Sequence, residues 1–135
     1  MYRLFSLIFI FLLSVTTLAQ ELPPIATYTA KDYKAENQNW AISQSETKFI
    51  YVANNKGLLE FNGADWVLYP TPNETVMRSV KVLGDKVFTG FYMDFGFWTK
   101  NVYGNLVYNS IAKKENIKML EDEQIWSIIE IDGWV

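Results

Sequence analysis

The stretch WAISQSETKFIYVANNKGLLEFNGADWVLYP, Trp40 to Pro70, decides the fold. It holds four short apolar runs separated by breaks built from Asn, Gly, Asp, Lys or Glu. Two of these breaks, Asn54-Asn55-Lys56-Gly57 and Asn62-Gly63-Ala64-Asp65, contain residues that tolerate positive φ and close tight hairpins. Four strands joined by three tight turns in about 30 residues make a small antiparallel meander, which cannot cover both of its own faces. The stretch therefore reads as one unit of something repeated.

The rest of the chain supplies the repeat. Asn39-Trp40-Ala41-Ile42 returns as Met77-Arg78-Ser79-Val80 and again as Ile125-Trp126-Ser127-Ile128. Phe49 follows Trp40 at the distance at which Val87 follows Arg78, whereas Trp134 follows Trp126 one residue sooner, across Asp132-Gly133. The second unit divides into Val76–Leu83, Val87–Tyr92, Gly96–Lys100 and Leu106–Ser110, with Asn101 to Asn105 as its last hairpin loop. A four-stranded unit recurring every ~40–50 residues is the signature of a β-propeller blade. A β-sandwich or a β-solenoid are the alternatives, but sandwich strands need not resemble one another as these starts do.

The expected architecture is all-β: an incomplete β-propeller of two four-stranded antiparallel blades plus the start of a third, preceded by a signal peptide. Its segments are a leader over 1–19, an extended lead-in over 20–39, blades over 40–71 and 76–110, a connection over 111–124 and a truncated third blade over 125–135. The lead-in either lies along a sheet edge, lends a strand or is a plain linker, and the connection is either a helical turn or two or a charged loop. Propellers close with four or more blades. The chain stops at Gly133-Trp134-Val135 within an apolar run, so the expectation is an N-terminal piece of a longer protein.

Composition narrows the function classes. The chain has 135 residues, with 50% hydrophobic and 20% charged, as in globular proteins, and its five Trp, eight Tyr and nine Phe favour strands. Net charge is −3, and the Arg residues are Arg3 and Arg78 alone. No basic stripe exists to replace counterions on a phosphate backbone, so nucleic acid is not expected as a partner of this segment. The absence of Cys and His removes disulfides, the usual zinc ligand sets and Ser-His-Asp arrangements together. No metal or cofactor is expected, and no catalytic residue is assigned.

The first residues carry an address. Met1-Tyr2-Arg3 gives a positive start, Leu4 to Leu13 is apolar except for Ser6, and small residues lead to Ala19-Gln20. That layout predicts a secretory signal peptide cut between Ala19 and Gln20. Its apolar core of about ten residues is short of the roughly 20 that a membrane span needs. Export without disulfides suits a bacterial periplasm or cell surface.

Three groups of side chains are weighed as sites. Phe88 to Trp98 is crowded with aromatic residues, read as packing between blades, with a sugar-stacking platform as the alternative. Within it Tyr92, Met93 and Asp94 form a turn expected to be exposed and suited to ligand contact. Arg78 replaces the recurring Trp, and is expected to find a local ion pair, or else to line a central channel and hold a carboxylate or uronic acid. Trp40, Trp66 and Trp126 are expected in the blade core.

At these repeats the chain resembles the two-component regulator propeller family of Bacteroidetes-type bacteria. The likeness lies in Trp40-Ala41-Ile42, Phe49-Ile50-Tyr51-Val52, Gly57-Leu58-Leu59 and Phe61, and Trp126-Ser127-Ile128 with Asp132-Gly133-Trp134-Val135. Asn54 to Gly63 is similar to members with a triple-tyrosine-motif domain. Gln44-Ser45-Glu46 stands where the family has Asp followed by Gly, and Phe95-Gly96-Phe97-Trp98 replaces Gly-Leu in the second unit. The resemblance implies a periplasmic sensor of an extracellular ligand, a glycan among the candidates, or of a partner protein. It also implies a downstream membrane helix anchoring the full-length protein in the inner membrane. The output module would be a LuxR-type helix-turn-helix or a histidine kinase. DNA contact or kinase activity would then belong to that module, and a dimer to the full-length protein. A truncated propeller enzyme acting on polysaccharide and an adhesion propeller are the alternatives.

Overall fold

The computed structural model describes residues 23–135. The leader over 1–19, the Ala19-Gln20 cut and the first residues of the lead-in lie outside the described residues. The chain forms two four-stranded antiparallel sheets, each a meander in sequence order. The first contains β1 (Asn39–Gln44), β2 (Ile50–Asn54), β3 (Gly57–Phe61) and β4 (Trp66–Pro70). The second contains β5 (Met77–Leu83), β6 (Lys86–Phe91), β7 (Asp94–Lys100) and β8 (Leu106–Ser110).

Turn chemistry sets the register of the first sheet. Asn54 pairs with Gly57 across the β2–β3 hairpin. Gly57 adopts φ +137, and a Cβ there would lie 2.2 Å from the Tyr69 carbonyl oxygen on β4. Only glycine fits both the conformation and the approach. Asn62 closes the next turn, accepting at Oδ1 from the amides of Ala64 and Asp65, both at 2.8 Å. The β1–β2 turn instead places Lys48 at φ 69, a left-handed lysine that no turn signal announced.

The sheets pack face to face, and the core lies between them. Tyr51, Ala53 and Leu58 of the first sheet meet Met77, Val80, Val87, Phe91, Trp98 and Leu106 of the second. Burying each large apolar side chain contributes about 1.5–3 kcal/mol, so this layer dominates the adhesion of the sheets. It absorbs Phe91 and Trp98 from the aromatic stretch, with the Trp98 indole N–H donating to Thr89 Oγ1 at 2.8 Å. Two cross-sheet polar contacts reinforce it. The Val82 amide donates to Ser43 Oγ at 2.9 Å, and Lys100 Nζ lies 3.2 Å from the buried carboxylate of Glu60.

The lead-in covers the outer face of the first sheet. It contains one helical turn, α1 (Ala30–Tyr33), which puts Tyr33 against Val52, Leu59 and Trp66. Trp66 also stacks on Phe61, centroids 4.6 Å apart. The buried Asn54 amide fastens the segment between α1 and β1, donating to the carbonyls of Glu36 and Gln38 and to Asn39 Oδ1. The connection after β8 begins with another helical turn, α2 (Ile111–Lys114), capped by Ser110 Oγ accepting from the Lys113 amide at 3.0 Å. Its remainder crosses back to the start of β5. Among the described residues no helix is long and apolar enough to cross a membrane.

Candidate functional site

In a meander the start of the first strand, the second turn and the exit of the last strand share one end of the sheet. Trp40, Asn55, Arg78, Tyr92 and the 111–124 connection therefore collect at a common end of the two sheets. The first strand of each sheet carries a bulge there. The β1–β2 register shifts between Asn39 and Ala41, and the β5–β6 register between Met77 and Ser79. Trp40 and Arg78 are the bulged residues, and a bulge re-aims the side chain of its extra residue.

A third segment reaches the same place. Gln124 bridges Tyr92, and the Ile125 amide donates to the Phe91 carbonyl while its own carbonyl accepts from Ser79 Oγ at 2.8 Å. Trp126 follows directly. Its ring meets Trp40 edge-on, centroids 5.8 Å apart at 82°. The Arg78 guanidinium carbon sits 3.9 Å from the Trp40 ring centroid and 4.5 Å from that of Trp126, within cation–π range of both.

The polar contacts fix this cluster without neutralising it. Arg78 Nε donates to Gln124 Oε1 at 2.7 Å, whereas Nη1 is enclosed and has no hydrogen-bond partner among the described residues. The expected local ion pair does not form: Arg78 takes part in none of the salt bridges among the described residues. Trp40 donates from its indole N–H to Asn55 Oδ1 at 2.8 Å, and Asn55 in turn donates to Glu36 Oε2 at 2.8 Å. That contact, followed by the Lys56 ammonium, holds the Glu36 carboxyl below its usual range.

The expectation that Trp40 and Trp126 are core residues is corrected here. They are 38% and 58% exposed, because the bulge on β1 and the crossing of the third segment turn them toward this end of the sheets. Trp66 instead packs under the lead-in. The Tyr92-Met93-Asp94 turn also departs from the exposed ligand-contact turn expected. Asp94 is 4% exposed and accepts from Ser110 Oγ at 2.6 Å, so it ties β7 to β8. Met93 takes φ 59, and its amide donates to the Glu123 carbonyl at 2.9 Å. The Tyr92 hydroxyl donates to Asp122 Oδ1, which pushes its pKa up, and its carbonyl accepts from the Asn73 amide. The turn thus anchors the connection beside Arg78, with its polar groups occupied by the protein.

The opposite end of the sheets opens a cleft of ≈ 440 Å³, lined by Ser45, Thr47, Tyr51, Asp85, Thr99 and Lys100 among others. Tyr51 donates from its hydroxyl to Glu60 Oε2 at 2.9 Å, and burial, then this bond, pushes its pKa up. That keeps it a neutral donor and ties it to the inter-sheet ion pair. Among the described residues no group of three or more Asp or Glu is placed to hold a metal ion. The end carrying Trp40, Arg78 and Trp126 is the better candidate: an uncompensated cation flanked by two exposed flat apolar surfaces.

Gln124 and Asn55 also belong to this cluster, although no motif in the sequence marks them as site residues. The signal for the cluster is the repeat itself, since the equivalent positions of the three units read Trp, Arg, Trp. No protein-family model matches the chain, and neither does any curated protein or solved structure.

Proposed function

We propose that the two sheets are consecutive blades of a β-propeller and that the chain forms its N-terminal part. We read this propeller as the exported, periplasmic ligand-sensing region of a membrane-anchored signalling protein, non-catalytic in this segment. One observation carries the reading. Residues at the same position of successive units, Trp40, Arg78 and Trp126, converge on a single point at one end of the sheets. Inner strands of successive blades converge in this way around a propeller axis, whereas the repeats of a sandwich have no reason to. The convergent residues offer recognition groups rather than a positioned base or nucleophile, which favours binding over turnover. The regulator family that the repeats resemble supplies the sensing role and the membrane anchor.

The test is a thermal-shift screen of the purified protein against a panel of glycans and small metabolites. Saturable binding should raise the melting temperature by about 10 °C, since a ligand at about 100 times its Kd stabilises by about 2.7 kcal/mol. Depolymerisation of any polysaccharide in the panel would overturn the sensing reading in favour of an enzyme. So would the absence of any shift when a protein partner likewise fails to bind.

A further inference from the structure

We infer that the Trp40–Arg78–Trp126 cluster is a ligand-contacting site and that its ligand is a sugar bearing a carboxylate. The inference rests on the sensing reading above and names the class of molecule sensed. Three features of the cluster point to it.

The first is charge. Arg78 is the one arginine among the described residues, and its only hydrogen-bond partner there is the neutral amide of Gln124. The neighbouring carboxylates are engaged elsewhere: Glu36 by Asn55 and Lys56, and Asp122 by the Tyr92 hydroxyl. Nη1 is enclosed and Nε donates to Gln124, so the nitrogen left for a ligand is Nη2, which among the described residues is neither enclosed nor hydrogen-bonded. The N–H groups of Nη2 can donate to a ligand carboxylate, a charge-assisted bond that the neutral Gln124 does not supply.

The second is shape. The indoles of Trp40 and Trp126 flank the cation nearly at right angles and keep substantial exposure. Flat indole surfaces suit the apolar C–H faces of a pyranose ring, and stacking beside a cation places a ring substituent against it. An isolated carboxylate would need the cation alone, and a neutral sugar the indoles alone. Their juxtaposition selects a molecule carrying both.

The third is support. The indole of Trp40 is held by Asn55, Arg78 by Gln124, and the backbone leading to Trp126 by Ser79 and Phe91. The rings and the cation are thus braced before any ligand arrives, which lowers the ordering cost of binding.

The experiment titrates the full chain with oligogalacturonate, its fully methyl-esterified form and the matching neutral galactose oligomer, followed by tryptophan fluorescence and calorimetry. The acid should bind at least tenfold more tightly than either neutral probe. Arg78→Gln should bring the acid down to the neutral level, Arg78→Lys should recover part of the difference, and Trp126→Ala should weaken acid and ester alike. Circular dichroism checks that each variant keeps its strands. Equal binding of acid and ester, or undiminished acid binding by folded Arg78→Gln, overturns the inference. So does a variant that loses stability with no change in affinity, since the partner of Arg78 would then be a group of the protein. Failure of all three sugars while the thermal-shift panel yields a different ligand sinks this inference alone; failure of both, with no protein partner bound either, sinks the sensing reading as well.

Discussion

Trp40 and Arg78 occupy one position in two successive sheets, each the bulged residue of its sheet's first strand, and the side chains meet across the seam at 3.9 Å. A repeat that keeps its backbone irregularity while exchanging Trp for Arg has kept a place and changed its chemistry. The irregularity aims both side chains at the same end, so the exchange creates a contact between units rather than a charge buried inside one.

Replacing Arg78 by Met separates the structural part of that contact from its charge. Each cation–π contact at a partly exposed site contributes about 0.5–1 kcal/mol, and the Gln124 hydrogen bond about 1 kcal/mol. Removing an enclosed N–H without a partner offsets part of this loss. The expected net cost is about 1 kcal/mol by urea unfolding, with acrylamide quenching of tryptophan emission rising as Trp126 is released. A loss of more than about 4 kcal/mol would mean that Arg78 holds a buried network instead.

The inter-sheet ion pair predicts an asymmetric response. Glu60 is 7% and Lys100 39% exposed at the side chain, and Lys100 also lies 4.0 Å from the Phe49 ring centroid. Glu60→Ala strands the Tyr51 hydroxyl in the core as well as the ammonium, at an expected cost of about 2–4 kcal/mol. Lys100→Met leaves the buried Glu60 carboxylate with the Tyr51 hydroxyl alone and should cost more, about 3–5 kcal/mol. Chemical denaturation of the two single variants and the double variant measures the coupling.

Both meanders are legible in the sequence because short apolar runs and Asn- or Gly-bearing turns specify strands and hairpins locally. The predicted Leu106–Ser110 strand has the same bounds in the structure, and Val76–Leu83 differs by one residue. Trp40 and Trp126 depart from expectation for a different reason. Large aromatic side chains in strands usually mean core, and an exposed bulge leaves no mark in a single-strand pattern. The repeat column holds the information, but only placing the units side by side turns three equivalent positions into one cluster. Asp94 departs because turn position suggests exposure, while its partner Ser110 lies on β8, beyond the reach of local pattern.

Asn54 should behave as a core residue despite its polarity. Its side-chain amide donates to three oxygens of the lead-in and β1, and Oδ1 accepts from the Lys56 amide at 2.9 Å. Asn54→Ala leaves several of these groups without partners and should cost about 2–4 kcal/mol. Asn54→Asp keeps the acceptor, loses the donors and buries a charge, so it should be no milder. Hydrogen exchange of the amides from Glu36 to Asn39 should quicken in both.

Acid should loosen the same lead-in. Asp32 accepts from the amide and hydroxyl of Thr29, and the Glu36 carboxylate from Asn55. These bonds lower both pKa values from 3.8 and 4.5. A folded pKa below the unfolded one gives stability that is present above the unfolded value and lost as pH falls through the folded one. Exchange of the 30–36 amides should therefore accelerate as pH drops below 4.5, relative to the intrinsic rate. Asp32→Asn combined with Glu36→Gln should flatten that dependence; an unchanged profile would assign the loosening to other carboxylates.

Gly90 controls whether the third segment can dock. A Cβ at this position would lie 2.5 Å from both Cβ and Cγ2 of Ile125 and 2.6 Å from Ser79 Oγ. The first of these atoms is fixed to the backbone, so rotating Ile125 does not relieve the clash, and the chain from Gln124 to Trp126 must move. Gly90→Ala should therefore detach Gln124 and Trp126 from Arg78 while both sheets stay paired, at an expected cost of about 1–3 kcal/mol. Tryptophan emission should shift to the red and become more quenchable, with the strand signal in circular dichroism retained. Ile125→Ala cannot rescue this variant because it keeps the offending Cβ. Ile125→Gly removes it, and the Gly90→Ala/Ile125→Gly pair should recover part of the quenching protection, since the bond from the residue 125 amide to the Phe91 carbonyl can re-form while the clash with Ser79 Oγ keeps the recovery partial. Equal quenching in the single and double variants would show that Gly90 acts through the second sheet alone and that Trp126 reaches Arg78 independently of it.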